Sequence, residues 1–163
     1  MAKYNIREVS EKRAAYRTLV SPARMDEMQA DILRIIVMQK KYRDKDFSAA
    51  KLAVEIGADP REVSAVVNTR FHMNYTSFVN RYRIDEARSI LVDRRFQDLG
   101  MKEVSNMVGF ANRQSFYGAF YRFVGVTPCD YRLQQLELHP NLVAKRRYTK
   151  KEVVWLPFFD KVT

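Results

Sequence analysis

Residues 100–132 read GMKEVSNMVGFANRQSFYGAFYRFVGVTPCDYR, the stretch with the clearest helical punctuation in the chain. Gly100 is placed to begin a short helix with Glu103 at its third position, Val104, Met107 and Val108 on one side, and Gly109 at its end. Asn112 then caps a second helix whose stripe is Phe116, Ala119, Phe120, Phe123 and Val124, the cleanest helical period in the protein, and Gly125 stops it. Thr127 and Pro128 open a third, with Asp130 in its first turn and Tyr131, Leu133, Leu136 and Leu138 as apolar content. A short helix, a glycine turn and a second helix amount to a helix-turn-helix by spacing alone.

The same arrangement stands upstream. Ser48 caps a short helix with Leu52, Ala53 and Ile56 inward, stopped by Gly57. Asp59, Pro60 and Glu62 form an aspartate version of the capping box, and the helix they open buries Val63, Val66 and Val67. Gly57 and Gly109 lie 52 residues apart, so the chain holds a two-unit internal duplication. Before the first unit, Ser21 and Pro22 start a helix with Met28, Ile32, Ile35 and Ile36 inward, ending at the cationic Lys40-Lys41 pair. Between the units, Ser77 to Asp93 predicts a longer helix with Phe78, Ile84, Ala87, Ile90 and Leu91 inward. At ~1.5 Å per residue it spans on the order of 25 Å.

Charge narrows the function. The 163 residues carry 29 Lys+Arg against 19 Asp+Glu, a net charge of +10, which points to a polyanionic partner such as nucleic acid or an anionic membrane surface. Residues 1–41 contribute +4 and residues 141–163 another +4, flanking a middle of nearly balanced charge, so specific function in the middle must rest on placement. One Cys (Cys129) excludes a disulfide framework, and one Cys with two His (His72, His139) cannot complete a four-ligand zinc site. No Ser/His/Asp set, carboxylate pair or glycine-rich phosphate loop stands at usable spacing, so no enzyme and no cofactor is expected. The longest apolar stretch, Val153 to Phe159, is far short of the ~20 residues that cross a bilayer, and the N-terminus has no signal-like apolar region. A soluble protein of a reducing compartment is expected.

The set Glu103-Val104-Ser105-Asn106-Met107-Val108-Gly109-Phe110, Ser115-Phe116, Phe120, Arg122, Gly125-Val126-Thr127-Pro128 and Tyr131-Arg132 resembles the DNA-binding domain of the AraC/XylS family of bacterial transcription regulators. The first unit follows in register through Leu52-Ala53, Ile56-Gly57, Val63, Phe78, Arg83-Ile84, Ala87 and Ile90-Leu91, so the resemblance covers about residues 26–135. It implies an all-α fold of about seven helices: two helix-turn-helix units joined by the long linker helix. The chain then divides into an N-terminal extension (1–24), a first unit with the linker helix (25–92), a second unit (93–140) and a basic, then apolar, tail (141–163). The implied function is sequence-specific binding of double-stranded promoter DNA by a monomer in the cytoplasm, at the nucleoid, with activation favoured and RNA polymerase as a further expected partner. The sequence departs from the family pattern at His72, where Gly is usual after the first recognition helix, at Val67, where Phe is common, and at Ser105, where Ala is usual. Ala65 and Gly118 are small where family members often present long polar side chains.

A helix in a major groove reads bases through its N-terminal side chains, while caps and basic residues hold phosphates. The base-contact candidates are Arg61, Glu62, Ser64 and Asn68 in the first recognition helix and Arg113, Gln114 and Tyr117 in the second. Arg61 suits guanine, Gln114 suits adenine, and Tyr117 suits a phosphate or a thymine methyl. The alternative for Arg61 is pairing with Asp59 or Glu62. Phosphate candidates are Asn112, Arg81, Arg83, Arg122 and Arg132; Arg83 and Arg132 have a structural alternative, since the motifs place both beside the core. His72, His139 and Cys129 are assigned no chemical role. Two other functions compete: a protein-interaction module on the same scaffold, motivated by Ala65 and Gly118, and a non-specific basic nucleic-acid binder working through its ends. For the tail, packing of the Trp/Phe segment on the domain or the N-terminal extension competes with anchoring to a membrane surface.

Overall fold

The computed structural model describes residues 19–138, which hold seven α-helices and no strand. Most of the N-terminal extension lies outside the described residues, as do His139, the basic run Lys145–Lys151 and the apolar Val153–Phe159.

Helix α1 (Pro22–Leu33) starts on the Ser21 cap and runs into a widened π turn, Arg34–Met38. Lys40 breaks it in the left-handed conformation (φ 55°), ahead of a 3-10 turn at Lys41–Arg43. Helices α2 (Ala49–Glu55) and α3 (Pro60–Phe71) form the first helix-turn-helix. The α3 capping box is present in full: Asp59 accepts from the Arg61 backbone N–H at 2.7 Å, and Glu62 accepts from the Asp59 N–H at 2.8 Å. His72 ends α3 with φ 57°, so the position where the family pattern favours Gly does require left-handed backbone.

The linker helix α4 spans Tyr75–Val92. It begins two residues before the expected Ser77, because Asn74 is the cap and accepts from the Ser77 N–H at 2.8 Å. After a 3-10 turn (Arg94–Phe96), α5 (Met101–Met107) and α6 (Arg113–Val124) make the second helix-turn-helix, and α7 (Pro128–Leu138) closes the domain. Thr127 caps α7 by exchanging hydrogen bonds with Asp130, its hydroxyl donating to the carboxylate at 2.6 Å.

Two hydrophobic cores result, and α4 belongs to both. Its first half gives Phe78 and Val79 to a core with Met28, Ile32, Ile35, Leu52, Val63 and Val66. Its second half gives Ile84, Ala87, Ile90 and Leu91 to a core with Val104, Val108, Phe116 and Phe120. At ~100° per residue Phe78 points away from Ala87 while Val79 and Ile90 share a flank, so the two cores together cover the linker over much of its circumference.

Between the cores lies a polar joint. The Arg83 guanidinium donates from Nε to the Tyr42 carbonyl at 2.6 Å and from Nη2 to the Asp44 carbonyl at 3.1 Å, and lies 5.4 Å from the centre of the Phe110 ring. Arg43 pairs with Glu86 of α4, with Nε 2.9 Å from Oε2. Gly109, at φ +93°, sits so close to the Arg43 backbone that a Cβ there would overlap the Arg43 carbonyl. The turn of the second unit therefore rests directly on a loop of the first.

Three expected inward positions and one expected outward position are corrected. Met107 and Phe123 are 40% and 39% exposed, and Leu138 is 69% exposed, because α5 to α7 close over Val104, Phe116, Phe120 and Leu136 without reaching them. Ala65, read as a bare groove-facing position, is fully buried. A long side chain at that point of α3 would enter the protein.

Candidate nucleic-acid interface

The first candidate reading surface is the outer face of α3. The box fixes its entry, and Arg61 follows at the second helical position, exposed. It forms no ion pair with either Asp59 or Glu62 among the described residues, so the pairing alternative is not what the structure adopts. Glu62 is committed to the cap. Ser64 donates to the Pro60 carbonyl at 3.0 Å and Asn68 to the Ser64 carbonyl at 2.9 Å. Both bonds lie along the helix surface, where a base edge can replace them at little loss. At the far end Arg70 pairs with Asp26 of α1, fixing the helix to the scaffold.

The second surface is the outer face of α6. Asn112 is its cap, accepting from the Ser115 N–H at 2.8 Å. Arg113 donates to the Tyr117 hydroxyl at 3.0 Å, and its guanidinium stands 4.8 Å from the Tyr117 ring centre. The Tyr117 hydroxyl is also 3.2 Å from the Cys129 sulfur at the start of α7. Burial and the Cys129 contact push the Tyr117 phenol up, so it stays protonated and can donate at neutral pH. The three groups form a prearranged chain. Gln114 is exposed beside it, and at Gly118 an added Cβ would meet nothing within 4 Å. Gly118 is open surface in the middle of this face, and its lack of a side chain allows close backbone approach.

The same face holds a residue missed by the sequence reading. Tyr121 lies one turn beyond Tyr117 and is 61% exposed. Extending the Arg113/Tyr117 spacing by four residues would have found it.

The phosphate candidates separate. Arg81 and Arg122 are exposed on α4 and α6. Arg83 is spent in the joint described above; burial lowers its pKa from the ordinary arginine value, opposed by Tyr75 and Asp44. Arg132 is only 7% exposed and donates to the Leu99 carbonyl at 2.7 Å, tying α7 to the loop before α5. Arg132 is therefore a structural residue in this geometry and not a surface clamp. Cys129, given no role from sequence, contributes by orienting Tyr117.

A family model described as a helix-turn-helix domain matches residues 52–134, from within α2 through the linker helix to within α7. A curated relative, the uncharacterized HTH-type transcriptional regulator YdiP of Escherichia coli (strain K12), is 28% identical over 120 residues, 74% of this chain and 38% of that protein. A second, the uncharacterized HTH-type transcriptional regulator YtdP of Bacillus subtilis (strain 168), is 23% identical over 92 residues, 56% of this chain and 12% of that protein. The chain thus spans well under half the length of either relative. Among solved structures, the DNA-binding domain of the global transcriptional factor AdpA, in complex with a target DNA, superposes with a TM-score of 0.58 at 20% identity, covering 71% of this chain and 96% of that one. No helix among the described residues is long and apolar enough to cross a membrane. With the family model matching half of its 163 residues, the chain belongs to the helix-turn-helix family of AraC-type DNA-binding transcription regulators, which is not a family of enzymes.

Proposed function

We propose that the protein binds promoter DNA as a monomer, with α3 and α6 in successive major grooves on one face of the duplex, and so regulates transcription in the cytoplasm. The observation that carries this reading is the joint of Arg83, Arg43–Glu86 and Gly109, which holds two capped helices with outward polar faces on one linker helix. Two reading heads fixed to each other act on two nearby sites as one ligand. Successive major grooves lie about 34 Å apart along the axis. Where the fixed spacing of the heads is shorter, the second enters only as the DNA bends, at a cost of about 1–6 kcal/mol.

Arg61 is the base-reading group of the first head, and Arg113, Gln114, Tyr117 and Tyr121 serve the second. Arg81, Arg122 and Asn112, with the uncapped first-turn N–H groups of α6, hold phosphates. The two surfaces differ chemically, so the recognised sequence consists of two unlike boxes. Activation and contact with RNA polymerase are part of the proposal and rest on the family relationship.

Selection from random duplexes followed by footprinting tests this. We expect two short protected boxes about one helical turn apart. Arg61→Ala should relax preference in one box only and Gln114→Ala in the other, each by about 1–3 kcal/mol per base pair read. A single symmetric site, equal loss in both boxes, or no sequence preference at any salt concentration would each contradict it. The last result would favour the protein-interaction reading, for which Gly118 is the one remaining motive.

A further inference from the structure

A groove of about 700 Å³ opens on the second unit, between the end of α6, the outer side of α7 and Arg88 of α4. Its apolar walls are Phe123, Val124, Val126, Tyr131 and Leu138, and two of these, Phe123 at 39% and Leu138 at 69%, are exposed large apolar side chains. Arg88 borders it, donating to the Tyr131 hydroxyl at 3.4 Å. The size suits a few apolar side chains inserted from another segment.

We propose that this groove is the docking site for the chain's own segment Val153-Val154-Trp155-Leu156-Pro157-Phe158-Phe159. The wall helix α7 is the last described element, and its last described residue, Leu138, lines the groove itself. Fourteen residues then precede Val153. Fully extended they reach about 46–50 Å, so the tether is long enough for the segment to return to the groove. The segment is covalently tethered to the groove's own wall, an advantage that a second copy or a free partner lacks in dilute solution. Composition agrees with this. The segment is apolar throughout and carries three aromatic residues, yet it is far too short to span a bilayer. One of the flanking carboxylates, Glu152 or Asp160, can meet Arg88, which also pairs with Asp85 at 3.7 Å, and the preceding basic run matches Glu137 on the groove's lip. The groove lies at the C-terminal end of α6, away from Arg113 and Gln114, so docking leaves the reading surface free and this inference does not depend on the DNA reading.

Trp155 is the only tryptophan in the chain, so the intrinsic fluorescence of the intact protein reports on the segment directly. The expected result is a blue-shifted emission, independent of protein concentration and weakly quenched by acrylamide. Leu138→Ser and Phe123→Ser should each shift the emission toward that of water-exposed tryptophan and raise the quenching constant severalfold. Far-UV circular dichroism should stay unchanged; Leu138 is so exposed at the helix end that its replacement leaves both cores intact. Solvent-like emission in the unaltered protein would overturn the proposal. So would a blue shift that Leu138→Ser leaves in place, one that grows with protein concentration (a second copy), or one that appears only with anionic phosphatidylserine vesicles (a membrane surface).

Discussion

Arg83 shows how one side chain serves the whole molecule. Its fork reaches two backbone carbonyls 39 and 41 residues away while its flat face covers Phe110 of the other unit. A lysine in its place can satisfy one carbonyl at a time and has no flat face to stack. Arg83→Lys should therefore lower the unfolding free energy by about 1.5–3 kcal/mol, measured by urea titration. Tyr75, a few residues earlier, donates to the Phe47 carbonyl at 3.3 Å, and burial pushes its phenol pKa up to about 12. The unfolded phenol titrates at about 10, so the fold favours the neutral form. That contribution is complete below about pH 10 and is lost as pH rises toward about 12. Stability should fall over this range in the native protein and less steeply in Tyr75→Phe. Equal slopes would show that the hydroxyl is solvated. At this scale the sequence is only partly legible. The motif places Arg83 and Arg132 beside the core, but their carbonyl partners (Tyr42, Asp44, Leu99) carry no signal, since every residue has a carbonyl and only the fold selects which one is near. Ala65 fails for a related reason: an alanine fits either a groove face or a core, and its small size conceals which.

Among the elements, the helix starts are the most legible features, because a cap is a local bond between residues two or three apart. Ser21, Ser48, Asp59, Gly100 and Asn112 all begin helices where the sequence places them. The helix faces are less so. Phe123 fits the α6 stripe by period yet faces a groove, since periodicity fixes a direction and not the presence of a neighbour. The double allegiance of α4 is likewise hidden, because its apolar residues are spread around the helix and blur any single stripe. The joint makes its own prediction at this scale. Gly109 has both a positive φ and a backbone neighbour where a Cβ would stand. Gly109→Ala should push the second unit off the Lys41–Arg43 turn and destabilise the protein by about 1–3 kcal/mol. It should also reduce the dependence of DNA affinity on box spacing, read by titrating duplexes of different spacer length. A variant as stable and as spacing-sensitive as the original would show that the contact is incidental.

For the molecule as a whole, two cores give two helix-turn-helix units, the shared helix and its joint pack one unit against the other, and the outward faces of α3 and α6 differ in chemistry. The duplication and its linker are legible from the chain, whereas the rigidity is not, because it arises from contacts between residues about 40 positions apart. Rigidity is also the central claim, and one measurement addresses it. Once the two boxes are known, affinity should be measured for duplexes in which the spacer between them is lengthened or shortened by one to five base pairs, with the mass of each complex determined alongside. The account predicts one protein per duplex, a sharp affinity maximum at one spacing, and a fall to the single-box level when the boxes are moved about half a helical turn apart. Affinity that stays level across all spacings, or a complex containing two chains, would contradict it.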